Sequence, residues 1–146
     1  MRAVVWITET TWEACVDATR DLVPPDADIT LLHVAPAGVE DLAAAGRAGL
    51  LGRHPPPPGP PLREIADEEA QALLADAEAR LGRPARPLTR RGHVEHEVVA
   101  ACAGADLLVV ARDGEQRPGP KSLGKRTRFV VDHAPCRVLL VWPDTL

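Results

Sequence analysis

Apolar and polar positions along this chain fall into short blocks whose period switches back and forth. Arg2 to Ile7 (RAVVWI) is an apolar run of strand length. The polar stretch Thr8 to Thr11 interrupts it, and from Trp12 to Val23 the residues Ala14, Cys15, Ala18 and Leu22 recur at helical spacing. Pro24 and Pro25 stop that helix, and Asp28 to Val34 (DITLLHV) is a second aliphatic, β-branched run. Beyond Pro36, residues 37 to 52 are rich in Ala, Gly and Leu and predict a weak helix. Arg53 to Leu62 contains HPPPPGPP, which predicts a stiff polyproline-type excursion and neither helix nor central strand.

The clearest helical pattern is Arg63 to Gly82, where Ile65, Leu73, Leu74, Ala77 and Leu81 share a face and Gly82 followed by Pro84 ends it. A modest strand over Ala85 to Arg91, a helix from Val94 to Ala103 and an apolar strand at Asp106 to Val110 (DLLVV) follow. The last pattern is a glycine-containing loop, a helix carrying Phe129 and Val130, and a fifth strand from Cys136 to Trp142 (CRVLLVW). Strands separated by helices imply parallel pairing, because parallel neighbours need a connection long enough to cross the sheet. Runs such as LLVV lack in-out alternation, as strands covered on both faces should. The expectation is a doubly wound α/β fold, Rossmann-like or flavodoxin-like, with a mostly parallel five-stranded sheet in the order 3-2-1-4-5 flanked by helices. Its crevice would lie where the first and fourth strands end.

Composition narrows the class. A length of 146 residues suits a single domain over 1–146, and 45% apolar with 26% charged residues is a globular balance. No apolar run approaches the roughly 20 residues that span a bilayer, and the amino terminus carries no leader pattern, so the expectation is a soluble cytoplasmic protein with no membrane partner. Cys15, Cys102 and Cys136 are odd in number, lack CxxC spacing and sit among apolar neighbours, which predicts free buried thiols in a reducing compartment. A net charge of −4 argues against a general nucleic-acid partner. The charge is nevertheless uneven: residues 111 to 128 hold six basic side chains against Asp113 and Glu115.

That basic segment carries the candidate chemistry. Gly114, Gly119 and Gly124 recur in a loop that leaves a strand and opens a helix, and Lys125 and Arg126 follow at the helix start. Unpaired amides and the helix dipole favour an anion there, with phosphate the natural occupant, although such a loop can also be a plain turn with a solvated basic face. GPKSLGKR has P-loop-like glycine spacing but Arg126 where the magnesium-binding hydroxyl should stand, so it is not a Walker loop.

The segment resembles the signature of the universal stress protein family, G-x-x-G, nine residues, then G followed by Ser or Thr. Ala111 and Gly114 take the first pair, Glu115 to Leu123 the nine positions, and Gly124-Lys125 the last pair, with HAPCRVLLV closing the chain. Ala111 replaces a glycine, and Lys125 replaces a hydroxyl that contacts phosphate in nucleotide-binding members. TLLHVAP looks like the family's second strand, and WITETTWEA like its first loop, where an acidic residue contacts ribose or metal; Glu9, beside Thr8, takes that place. The resemblance implies that the backbone at Val34 holds an adenine edge, that Ile7 supports the base, and that Ala111, Gly114, Gly124 and Lys125 stand at the motif positions of the nucleotide site; Arg112 and Arg126, beside them, are candidate nucleotide-binding residues. It implies a regulatory module binding ATP or another adenine nucleotide, with or without Mg2+, and a homodimer through Arg137, Val138, Leu139, Leu140 and Val141. Two alternatives stay open: Glu9 as a solvated acid, and a dimeric interaction protein whose Lys125 stem blocks the phosphate site. An enzyme is disfavoured, since Glu9 is the one obvious acid near the site, although slow ATP hydrolysis is compatible with it. His93-x-x-His96, with Glu95 and Glu97, is too weak a pattern to predict metal, and His33 and His133 read as packed or capping residues. The PxxP pattern in the proline run reads as a spacer.

Overall fold

The computed structural model describes residues 1–37 and 60–143. Five strands, β1 (Arg2–Trp6), β2 (Asp28–Pro36), β3 (Arg86–Gly92), β4 (Leu107–Ala111) and β5 (Arg137–Val141), form one sheet. Four helices join them: α1 (Trp12–Leu22), α2 (Pro60–Leu81), α3 (Val94–Ala101) and α4 (Lys125–His133). The strand order is β3-β2-β1-β4-β5 and every pairing is parallel, as the alternation of periods predicts.

Side-chain alternation along each strand divides the core into two layers. Ala3, Val5 and Ile7 point to the side covered by α1 and α2, where they meet Cys15, Val16, Leu74 and Leu81. Val4 and Trp6 point to the other side, where α3, its capping residue Cys102 and α4 contribute Val94, Val98, Cys102 and Val130. Leu108 and Val110 of β4 join the second layer and Val109 the first, which is why LLVV shows no alternation in hydropathy. On the α1/α2 side, Arg80 grips Asp17 with two nitrogens, 2.8 and 2.9 Å from its carboxylate oxygens. That hydrogen bond holds the Asp17 carboxyl below its ordinary range, so its contribution is complete at neutral pH and is lost only as pH falls through the lowered value.

Element ends lie within a few residues of expectation, with one correction. Pro60 to Leu62 belong to the first turn of α2, not to the proline excursion expected over 53–62. The first amides of a helix have no partner within it, so a proline at this end forfeits nothing. The rest of that excursion, and the weak helix expected after residue 37, fall outside the described residues.

The two edges of the sheet differ in kind. β3 reads RPLTRRG, so Pro87 and three arginines line an edge that discourages another strand, whereas β5 reads RVLLV and leaves four apolar residues half-buried. Cys15 and Cys102 are free and buried, while Cys136 is only half-buried, a correction to the expectation that all three are enclosed. Burial pushes both the Cys15 and the Cys102 thiol up to about 12. At pH 8 such groups are thiolate in roughly one molecule per ten thousand. Ellman's reagent is therefore expected to titrate at most Cys136 in the native protein and all three thiols in guanidinium; fast native reaction of two or more would contradict the packing.

Candidate functional site

β1 starts in the middle of the sheet, and the chain leaves it toward α1 on one side while β4 lies on the other, so the strand order reverses beside β1. A pocket of about 610 Å3 opens at the carboxyl ends of β1 and β2, as the general rule for such sheets requires. Its apolar lining combines Trp6, Val34 and Val94 with Ile65 and Leu73 of α2. Ile65 is 51% exposed, a large apolar side chain held at the rim. Polar groups converge from several elements: Thr8 and Glu9 from the β1–α1 loop, His33 from β2, Glu69 from α2 and Arg126 from α4. Larger hollows of about 790 and 990 Å3 lie between α2 and β3 and near the amino ends of β1 and β2. Size does not decide between them, because neither gathers the carboxyl ends of the central strands.

Local contacts fix the loop that holds Thr8 and Glu9. The Thr8 and Thr11 hydroxyls share a 2.6 Å hydrogen bond, the Trp12 amide donates to the Thr8 carbonyl at 3.1 Å, and Glu9 remains exposed between them. His33 Nδ1 lies 3.0 Å from the Ile7 carbonyl, which ties the end of β1 to β2. The Ile7 side chain itself is fully buried in the α1/α2 layer and does not line the pocket, whereas Trp6 and Val34 do.

Loop 112–124 departs further from expectation. The Gly114 amide donates to the Ser122 carbonyl at 3.0 Å and the Glu115 amide to the Lys121 carbonyl at 2.7 Å, so this loop folds back on itself through the 3-10 turn Pro120–Ser122. A methyl group on Gly114 would stand 2.1 Å from the Lys121 carbonyl oxygen. The absence of a side chain at Gly114 is therefore used by the returning half of the loop itself. Asp113 closes the arrangement: its Oδ1 accepts the Gly124 amide at 2.7 Å and its Oδ2 accepts the Thr127 hydroxyl at 2.8 Å. A carboxylate thus sits where the α4 dipole and first amides favour negative charge.

The basic residues are also engaged. Arg112 donates to Ser122 Oγ at 2.7 Å and stacks over Trp142 at 4.7 Å, and it is not among the residues that line the pocket. Arg117 pairs with Glu115 at 2.9 Å, Arg128 donates to the Pro120 carbonyl, and Arg126 reaches Glu95 at 3.6 Å while still lining the pocket. Lys125 is exposed and is not a lining residue, so its stem does not fill the pocket.

Of the residues singled out in the sequence, the structure brings Thr8, Glu9, Val34 and Arg126 into one pocket. It leaves Ile7, Ala111, Arg112, Gly114, Gly124 and Lys125 outside. Trp6, His33, Ile65, Glu69 and Asp113 were not anticipated. Ile65, Glu69 and Leu73 repeat every four residues along α2, a signal for one shared face; Asp113 acts across eleven positions and leaves no periodic trace. His93 and His96 meet edge to face at 5.7 Å, and no group of three metal-binding side chains occurs among the described residues. His133 Nδ1 lies 2.8 Å from the Phe129 carbonyl and its ring stacks on Phe129, in keeping with a capping role.

The family model described as the universal stress protein family matches residues 7–141. No curated protein sequence matches the chain significantly. Among solved structures, hypothetical protein MJ0577 is 15% identical with a TM-score of 0.72, over 99% of this chain and 97% of that one. A universal stress protein solved in complex with cAMP is 16% identical with a TM-score of 0.65, covering 99% and 98%. The Archaeoglobus fulgidus universal stress protein in complex with dAMP is 17% identical with a TM-score of 0.61, covering 97% of both chains. Identities this low establish the shared fold.

Proposed function

The chain belongs to the universal stress protein family, and from that premise we propose that it is a regulatory module that binds an adenine nucleotide in the pocket at the ends of β1 and β2. The observation that carries this reading is the pocket's composition: an apolar lining of Trp6, Val34 and Val94 beside a carboxylate at Glu9 and a cation at Arg126. A purine needs flat apolar contact and a backbone edge to pair with, which the Val34–Pro36 segment offers. Glu9 and Thr8 suit ribose hydroxyls, and Arg126 suits a single phosphate. Relatives crystallised with cAMP and dAMP support the same ligand class.

The adenosine half fits the residues present; a polyphosphate with Mg2+ fits them poorly, because Asp113 already holds the Gly124 amide. That contact also favours a second reading, an interaction protein that needs no nucleotide, with Asp113 rather than Lys125 closing the phosphate end. Titration with AMP separates the two. Binding to the native state alone must raise stability, by about 2.7 kcal/mol when ligand stands at 100 times its Kd. An upward shift in the melting temperature with millimolar AMP, smaller with GMP, is expected; a flat melting temperature and no calorimetric heat would leave the interaction protein.

We read the protein as a binder rather than a catalyst, working in a reducing cytoplasm that suits its free thiols. Among the described residues no helix is long and apolar enough to cross a membrane. The apolar edge at β5 supports a homodimer formed by pairing that strand with its copy.

A further inference from the structure

We propose that Asp113 sets the ligand class of this site: its carboxylate occupies the seat at the start of α4 in which the outer phosphates of a nucleotide would rest, so that the site admits adenosine and its monophosphate and disfavours di- and triphosphates. The inference rests on the adenine-nucleotide reading above and deepens it.

Three observations support it. Asp113 presents both oxygens to the helix start, one on the Gly124 amide at 2.7 Å and the other on the Thr127 hydroxyl at 2.8 Å, so the same donors cannot serve a phosphate while it is in place. Thr127 is 1% exposed, and Asp113 is the acceptor that its buried hydroxyl reaches. The amides of Gly114 and Glu115, next in the loop, are spent on the Ser122 and Lys121 carbonyls. A polyphosphate would therefore have to displace a carboxylate and then bear its charge close by, where like charges repel. Arg126, by contrast, lines the pocket and lies outside this latch, so one phosphate can be met without disturbing Asp113.

The seat is open to competition, because Asp113 is itself exposed. Its removal should convert the site from one preference to the other. Asp113→Asn keeps an oxygen for the Gly124 amide and places an amide donor on the Thr127 hydroxyl, so it preserves the loop while removing the charge; Asp113→Ser empties the seat.

Calorimetric titration of the 146-residue chain with adenosine, AMP and ATP tests the idea. The wild type is expected to bind AMP more tightly than adenosine, and ATP at least about tenfold more weakly than AMP. Asp113→Ser should raise ATP affinity by roughly ten- to a hundredfold and Asp113→Asn by less, both with adenosine affinity unchanged. Wild-type preference for ATP over AMP, or an unchanged ATP-to-adenosine ratio in both variants, overturns the role of Asp113 while leaving the nucleotide reading intact. Absence of adenosine and AMP binding in the wild type overturns the nucleotide reading, and this inference with it. A readout on the wild type alone guards against a variant that fails to fold: the Gly124 amide resonance should stay unmoved by inorganic tripolyphosphate, and a saturable shift would show that the seat is free.

Discussion

Leu139→Pro is expected to lose a large share of the fold's stability, whereas Leu140→Pro, one residue further on, should fold normally and fail to pair with its copy. The difference follows from strand geometry. The Arg112 amide of the chain leaving β4 donates to the Val141 carbonyl at 2.8 Å, so residue 141 directs its backbone groups inward to β4. Backbone direction alternates along a strand, which turns Leu139 inward with Val141 and turns Val138 and Leu140 outward to the open edge. Proline at 139 removes a donor from the ladder with β4 and forces its ring into a closed pairing, a loss on the order of 3 kcal/mol in a protein whose total stability is only several times that. Proline at 140 removes a donor that only a second molecule could use. Circular dichroism and light scattering check both: a native spectrum with the mass of one chain is expected for Leu140→Pro. A dimeric Leu140→Pro would mean that the copies meet elsewhere, and a normally melting Leu139→Pro would contradict the register.

The second large effect is expected at Gly114. Alanine there would bring its methyl carbon 2.1 Å from the Lys121 carbonyl oxygen, 2.9 Å from the Ser122 carbonyl carbon and 3.0 Å from the Leu123 nitrogen. All three are main-chain atoms, so no side chain can rotate away and the return strand must move. The cost should approach the upper end of the range for overpacking, about 1–3 kcal/mol. The Gly114–Ser122 and Glu115–Lys121 hydrogen bonds would open with it, releasing the loop that presents Asp113. Urea denaturation measures the loss, and a midpoint within about 0.5 kcal/mol of the wild type would show that the loop tolerates what its geometry forbids. Gly119→Ala offers a control, since its strain comes from a φ of 135° and not from any neighbour.

These residues also mark how far the sequence can be read. Strands such as LLVVA and RVLLV declare themselves because a run buried on both faces must be continuously apolar, and their order follows from helices placed between them. Glu9, Thr8, Val34 and Arg126 are legible by position along those elements. Ile7 lies outside the pocket because consecutive residues of a strand face opposite layers, which puts Trp6 rather than Ile7 on the pocket side. His33 reads as a packed residue, and it does brace the Ile7 carbonyl, but the bond leaves it lining the pocket as well. Asp113 was hidden among glycines whose spacing invited a phosphate; its role depends on a loop returning across eleven residues, and no local pattern encodes where such a loop returns. Pro60 entered a helix because the first turn has no use for its missing amide.

The contrast between the two margins of the sheet reaches beyond a single pair of molecules. In the proposed dimer, strand addition at β5 uses the same surface on both copies, so one contact consumes it in each. What then faces outward at either end of the joined sheets is β3, with Pro87 and the arginines 86, 90 and 91. A crowd of such chains can pair off and stop; the route to an endless fibre is closed by charge and a missing amide at the far side of every molecule.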